Sequence, residues 1–456
     1  MGFLYQQFPT EGYPITVFLL AVVFGIALVI VRPFWAFLFS VIGLAGKNYH
    51  AAVLTRMPIT GEYLNLNDLF LWIAVLALFV KAYRANGKIQ IPNILMVFIV
   101  VLLIGSMQSL IKYGPDAFVL RSIWSVAIFP IMFLISANFI KTEDEARLFF
   151  WAFFLGALIA SLQHMVFLGS AYISGVNVGA QLRTISYITS GGIYLLAIAL
   201  FTRLREKNIA YALLFYSGIT LLTISFLMNQ TRQLYVVFLA SIMVLLLILR
   251  NKVDVKNAVL RFGIVLFGVV LIFGALFSDW DVNDILGTRL EFARDKDTFE
   301  ESYYTRMLGM QTEVNLWLNS TMIFGVGAAY PPEYEDVSRE RNTDQVYQIG
   351  ALNHVAITSY LAHFGAVGAL VFLIIIPLMT IKRARDNIEP NITSYVSKIC
   401  LLAMAVALMD MLNLFGSMLN TAPTCHMAAA IYGAFWGLHI HKASIRPWRF
   451  RKEAKS

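Results

Sequence analysis

The chain has little charge and almost no cysteine. Asp, Glu, Lys and Arg together make up 14% of 456 residues, against 59% hydrophobic residues and a mean hydropathy of +0.71. That leaves too little polar surface to close a soluble globule of this length, which excludes a water-soluble enzyme or binding module. The two cysteines, Cys400 and Cys425, fall within or beside apolar runs. They read as small packing residues, and neither a disulfide framework nor a zinc site is expected. No basic stretch precedes the first apolar run, so no cleavable signal peptide is expected. No internal repeat of the kind that marks inverted-topology transporters is present.

What is present is a long series of apolar runs. A spanning helix needs roughly 20 apolar residues, because the hydrocarbon core is about 30 Å thick and each residue rises about 1.5 Å. Runs of that kind occur at 14–31, 68–82, 91–111, 117–140, 149–168, 185–201, 209–228, 234–249 and 262–277. After an interruption they resume at 355–381, 392–419 and 425–440. These make twelve spans, and 33–45 is a thirteenth if it crosses; its 13 residues also suit a re-entrant or interfacial segment.

Charge sets the expected orientation. Basic residues collect in the turns holding Lys81, Arg84 and Lys88, then Arg203, Arg205 and Lys207, then Arg250, Lys252, Lys256 and Arg261. Lys382, Arg383 and Arg385 follow, and the tail 442–455 is basic too. Such turns fall on alternate sides of the spans, hence on one face, which the positive-inside tendency makes cytoplasmic. The net charge of +8 and isoelectric point near 9.3 therefore describe loops on that face and imply no nucleic-acid partner. Arg32 leaves the side of the N-terminus open by one crossing.

The interruption, residues 279–353, is expected on the opposite face. It holds 14 of the 27 carboxylates but only 6 of the 35 Lys and Arg residues. Tyr303, Met307, Met310, Val314 and Leu318 recur at helical spacing, predicting an amphipathic helix over 300–318 that lies on the bundle. Gly325-Val326-Gly327 and Pro331-Pro332 then form a tight loop, and 341–350 reads as polar and mobile. The organisation is thus an N-terminal bundle at 1–278, an outer segment at 279–353, C-terminal spans at 354–441 and a basic tail at 442–456. The acidic cluster Asp279, Asp281 and Asp284 lacks the closing Glu of a calcium loop and reads as solvated.

Several residues could carry chemistry. Arg232, in Asn229-Gln230-Thr231-Arg232-Gln233, sits where a span begins. It either clamps a phosphate bidentately or snorkels to headgroups. Arg306 on the amphipathic helix has the same two readings. His354 stands at the mouth of a span, where a neutral imidazole suits proton abstraction or a simple cap. His363, on the same span, lies about 180° away from it around a helix, so one lines a cavity while the other packs. Asp410 interrupts an apolar run; it is either a proton-relay group or, as favoured here, a hydrogen-bonding tie between helices.

Together these residues resemble a known family. Thr231-Arg232-Gln233 leading into a span, Arg306 through Leu316 to Phe324-Gly325-Val326-Gly327, and His354 through Leu361, Gly365, Gly368 and Leu370 resemble motifs of the O-antigen ligase and polysaccharide polymerase superfamily, in the same order. Val355 follows the histidine where the family often has Asn or Ser, His363 stands where it often has Glu, and Thr321-Met322-Ile323 replaces its Pro. The resemblance implies an all-α fold, a polytopic membrane bundle of 12–13 transmembrane helices with one large, mainly helical extracytoplasmic loop, GT-C-like in kind. It implies a bacterial inner membrane, a cytoplasmic C-terminus and a periplasmic loop.

The activity implied is inverting glycosyl transfer from an undecaprenyl-diphosphate-linked glycan donor, with no cofactor and no metal. Arg232 and Arg306 would hold the diphosphate, Arg289, Arg183 and His363 would line the substrate site, and His354 would be the base. The acceptor is a second lipid-linked repeat for a polymerase or lipid A-core for a ligase; the acidic outer segment favours a polymerase of O-antigen or exopolysaccharide. The partners implied are the donor, a glycan or lipid acceptor, the lipid bilayer and a polysaccharide chain-length regulator. A lipid-linked oligosaccharide flippase is a further alternative, but it calls for charges along a central cavity and quasi-symmetric halves. A purely structural membrane scaffold would need no such constellation.

Overall fold

Helix α1 (Tyr13–Val31) turns at Arg32 into α2 (Pro33–Ala45), and α3 follows at Leu66–Arg84. Next come α4 (Asn93–Tyr113), α5 (Ala117–Phe139), α6 (Glu143–Ile173), α7 (Ser190–Phe201), α8 (Ile209–Met228) and α9 (Arg232–Leu249). Later in the chain, α10 (Ala356–Leu370) runs through a widened turn at Val371–Ile375 into α11 (Ile376–Asn387), followed by α12 (Tyr395–Leu412) and α13 (Cys425–Ile445). This computed structural model describes residues 13–45, 66–84, 89–115, 117–173, 190–202, 209–228, 232–254, 256–260, 263, 267, 310–311, 313–328, 356–390, 392–412 and 425–445. Among them there is no strand, only an isolated bridge between Thr321 and Gly325.

Five of these helical stretches are long and apolar enough to cross a membrane: Asn93–Tyr113, Ser122–Phe139, Glu143–Gln163, Ile357–Asn387 and Tyr395–Leu412. Among the described residues the protein is therefore almost entirely helical, and its apolar helices make it a multi-pass membrane protein. The expected run at 355–381 continues in helical form to Asn387 as one long, broken span. The expected run at 262–277 falls almost wholly outside the described residues. The 13 residues of α2 rise only about 20 Å, too short to cross. It is instead built into the core, with Ala36, Phe37 and Val41 fully buried, packed on α3 and α8's neighbour α6.

One end of the bundle is tied by polar groups. Lys81 Nζ donates to the Asn138 carbonyl at 2.8 Å, and the Asn138 amide exchanges two 2.9 Å bonds with the backbone of Gln90. Thr142 and Glu145 form a capping box at the start of α6: the Glu145 carboxylate accepts from Thr142 N at 2.9 Å, and Thr142 Oγ1 accepts from Glu145 N at 3.3 Å. The Glu143 carboxylate accepts from Tyr395 N and Val396 N, capping α12 from another helix. Lys252 Nζ donates to the carbonyls of Arg385 and Ile388, closing the C-terminus of α11. Arg383 lies over the Trp436 ring at 4.4 Å. The basic turns around Lys81, Lys252 and Arg385 thus gather at one end, as the charge pattern predicts.

Helix α13 packs most extensively on α5, and the two run parallel. The contact is made by Gly433 and Gly437, spaced four apart on one face. A Cβ at Gly433 would meet the Phe133 carbonyl oxygen at 2.2 Å, and one at Gly437 would meet the Ala137 carbonyl oxygen at 2.4 Å. Small residues let backbones approach, which matters in lipid, where helices gain nothing from leaving water. Asp410 of α12 is buried and accepts a 3.2 Å hydrogen bond from Tyr432 Oη of α13, the tie between helices that its sequence context favours.

Replacing Gly437 with Leu should force α5 and α13 apart. We expect a loss of about 1–3 kcal/mol or more, read as a lowered midpoint of thermal unfolding in detergent, whereas Leu at lipid-facing Met107, which is 60% exposed, should leave it unchanged.

Candidate functional site

Of the site candidates, His363 and the loop and helix glycines meet where α10 is broken. Gly365 adopts φ 63° and ψ −167°, a conformation essentially reserved for glycine. In an unbroken helix, Ala366 N would bond to the Ala362 carbonyl and Val367 N to that of His363. The break frees all four groups, and the segment 321–328 takes each of them. Val326 N donates to the Ala362 carbonyl at 2.8 Å and Gly327 N to that of His363 at 2.9 Å. Ala366 N and Val367 N donate in turn to the carbonyls of Met322 and Ile323, at 2.9 and 3.2 Å. Ala328 N then donates to the Gly105 carbonyl of α4 at 3.0 Å, so the segment bridges two helices.

Glycine is required on both sides of this interlock. Gly325 and Gly327 have φ of 72° and 111°. A Cβ on Gly325 would lie 2.4 Å from the Ala362 carbonyl oxygen; one on Gly327 would lie 2.3 Å from Ser109 Oγ; one on Gly365 would lie 2.3 Å from Ile323. The Gly-x-Gly therefore does steric work. It lets one backbone lie against another.

His363 is 1% exposed, and its Nδ1 lies 2.8 Å from the Gly327 carbonyl oxygen. A carbonyl only accepts, so Nδ1 carries the proton and donates it. This histidine packs into the interlock and locks the second glycine of the loop.

A second anchor was not anticipated. Glu313 is fully buried, and its carboxylate accepts hydrogen bonds from Thr358 Oγ1 and from Ser359 Oγ, the latter at 2.5 Å. Residues 313–318 are helical, as the periodicity predicts, but the face turned inward differs from the expected stripe. Glu313 faces in, while Leu318 is 48% exposed. Two hydroxyls on α10 give a buried carboxylate its hydrogen bonds, and that overrides the apolar periodicity. A Thr-Ser pair opening an apolar helix was the available clue. Trp317 Nε1 completes the turn by donating to the Met322 carbonyl at 2.7 Å.

Of the predicted site residues, the structure brings His363 and the loop and helix glycines together. Arg232 is the first residue of α9, and the position of its side chain lies outside the description. His354, Arg306, Arg289 and Arg183 lie outside the described residues, as do 331–350. Among the described residues, no three His, Cys, Asp or Glu side chains group so as to hold a metal ion. No protein-family model matches the chain, and no curated protein matches it.

Two variants test the interlock. Gly365→Ala carries both backbone strain and a collision, whereas Gly114→Ala has a similar φ of 75° with nothing within 4 Å. Strain of this kind costs about 1–3 kcal/mol, and overpacking about as much again, so Gly365→Ala should lower the unfolding midpoint clearly more than Gly114→Ala. Glu313→Gln removes an acceptor from a buried pair of donors, at a cost of about 1–3 kcal/mol. Combined with Thr358→Val and Ser359→Ala, the loss should be less than additive in the same measurement.

Proposed function

We propose that the protein is a membrane glycosyltransferase that polymerises undecaprenyl-diphosphate-linked repeat units. The observation that carries this reading is the order Arg232, Arg306, Gly325-x-Gly327, His354, Gly365, together with the interlock that joins its glycine-bearing members. Glu313 follows Arg306 by seven residues, and its partner Thr358 follows His354 by four. The Glu313 anchor therefore joins the chain seven residues after Arg306 to the chain four residues after His354. A base and a phosphate clamp need such a fixed frame, because positioning supplies much of the rate of a transfer reaction.

The chemistry follows from the donor. An acceptor hydroxyl oxygen attacks the anomeric carbon and forms the new glycosidic bond. The bond from that carbon to the phosphate oxygen breaks, inverting the configuration. Lipid diphosphate leaves with the bonding pair, and Arg232 and Arg306 neutralise the charge that develops on it. His354 receives the proton of the hydroxyl. Two guanidiniums supply the positive charge that a divalent cation supplies elsewhere.

The test is turnover by the purified chain in lipid, with a verified undecaprenyl-diphosphate-linked repeat as donor. A polymer ladder is expected, reduced by about 10²–10⁴-fold in His354→Ala, with unchanged elution on size exclusion. Transfer only after addition of lipid A-core would make the protein a ligase. No transfer to either acceptor would end the transferase reading and favour a transporter.

A further inference from the structure

The loop interlocked with α10 lies at an unexpected depth. Helix α4 spans 21 residues, long and apolar enough to cross a membrane, and its one charged side chain is Lys112 in the last turn, a charge that belongs at the water boundary. Its Gly105 carbonyl, which binds Ala328, is seven residues short of Lys112, or about 10 Å down the helix. The second span gives the same answer. Ala366 and Val367 lie nine and ten residues into Ile357–Asn387, about 14–15 Å from its start. They hold the carbonyls of Met322 and Ile323. Both figures fall inside a hydrocarbon core about 30 Å thick.

The side chains agree with that depth. Met322 and Ile323, the residues paired deepest in the break, are 50% and 57% exposed, and Leu318 is 48% exposed. In water, three large apolar side chains on one turn would be costly. The surface they continue is already lipid-like: Leu370, one turn beyond Val367, is 49% exposed, and Met107 of α4 is 60% exposed. The backbone agrees as well. Hydrogen bonds account for the N–H groups of 324–328 and for the carbonyls of Thr321, Met322, Ile323, Gly325 and Gly327. Non-helical backbone survives at membrane depth only when protein satisfies it in this way.

We propose that residues 318–328 form a re-entrant turn, with Leu318, Met322 and Ile323 inserted among the acyl chains of the bilayer. The segment 279–353 then does not stay wholly outside; it dips back into the membrane and plugs a broken span. This inference is independent of the transferase reading. It also gives the interlock a reason, since a turn held in lipid needs every backbone bond it can make.

Spin labelling of the full-length chain decides the question. Cys400 and Cys425 are replaced by Ala, and single nitroxides are placed at Met322→Cys and Ile323→Cys in phosphatidylethanolamine–phosphatidylglycerol vesicles. Asp386→Cys, with a 55% exposed side chain at the basic end, serves as the water reference, and Met107→Cys as the lipid reference. Labels at 322 and 323 should collide with oxygen far more than with a water-soluble nickel chelate, matching position 107. Collision with nickel as at position 386 would overturn the proposal. So would low collision with both reagents, which would mean that protein rather than lipid covers the turn. A label at Leu318→Cys provides an independent reading if either of the first two variants fails to elute as folded protein.

Discussion

A helix that breaks among apolar side chains must find new partners for the backbone groups it releases. Each one left bare in hydrocarbon would cost several kcal/mol, a large fraction of the stability of any domain. At Gly365 four such groups are released, and residues 321–328 satisfy all four. The exchange is mutual: each partner uses two donors and two acceptors. Neither α10 in this form nor the loop in this form makes sense alone. The positions of Gly325, Gly327, His363, Gly105 and Ser109 all follow from it.

The rest of the described bundle obeys the same shortage of hydrophobic driving force between helices in lipid. Contacts come instead from close backbone approach, as between α5 and α13, or from hydrogen bonds in which one partner is charged. Glu143 capping α12 and Lys252 capping α11 are of the second kind, and both tie elements far apart in sequence. The charged groups collect at one end, whereas the interlock lies towards the other ends of α4 and α10. Polar bonds thus secure the basic end and the interlock, while aromatic packing such as Phe98 on Phe129, 4.9 Å between ring centroids, joins α4 to α5.

How much of this was legible beforehand depends on the range of the interaction. The helices Asn93–Tyr113, Ala117–Phe139 and Tyr395–Leu412 were readable, from runs at 91–111, 117–140 and 392–419, because a long apolar run has few alternatives to spanning. The glycines at 325, 327 and 365 were noticed, yet their use was not, since a glycine reports only that something comes close. The helix at 313–318 was readable by period, but its rotation was not. Periodicity assumes that apolar residues face inward, and Glu313 faces inward because Thr358 and Ser359 receive it there.

The sequence by itself determined a helical membrane protein and its basic end, because hydropathy and charge act on each segment separately against a common solvent. Only the tertiary structure decided that a loop fills a broken helix, that a carboxylate anchors it, and that His363 packs while donating to Gly327. Those outcomes rest on backbone and side-chain hydrogen bonds that join residues some forty positions apart, or more than two hundred for Gly105 and Ala328. Such bonds depend on geometry that no local pattern of residues encodes.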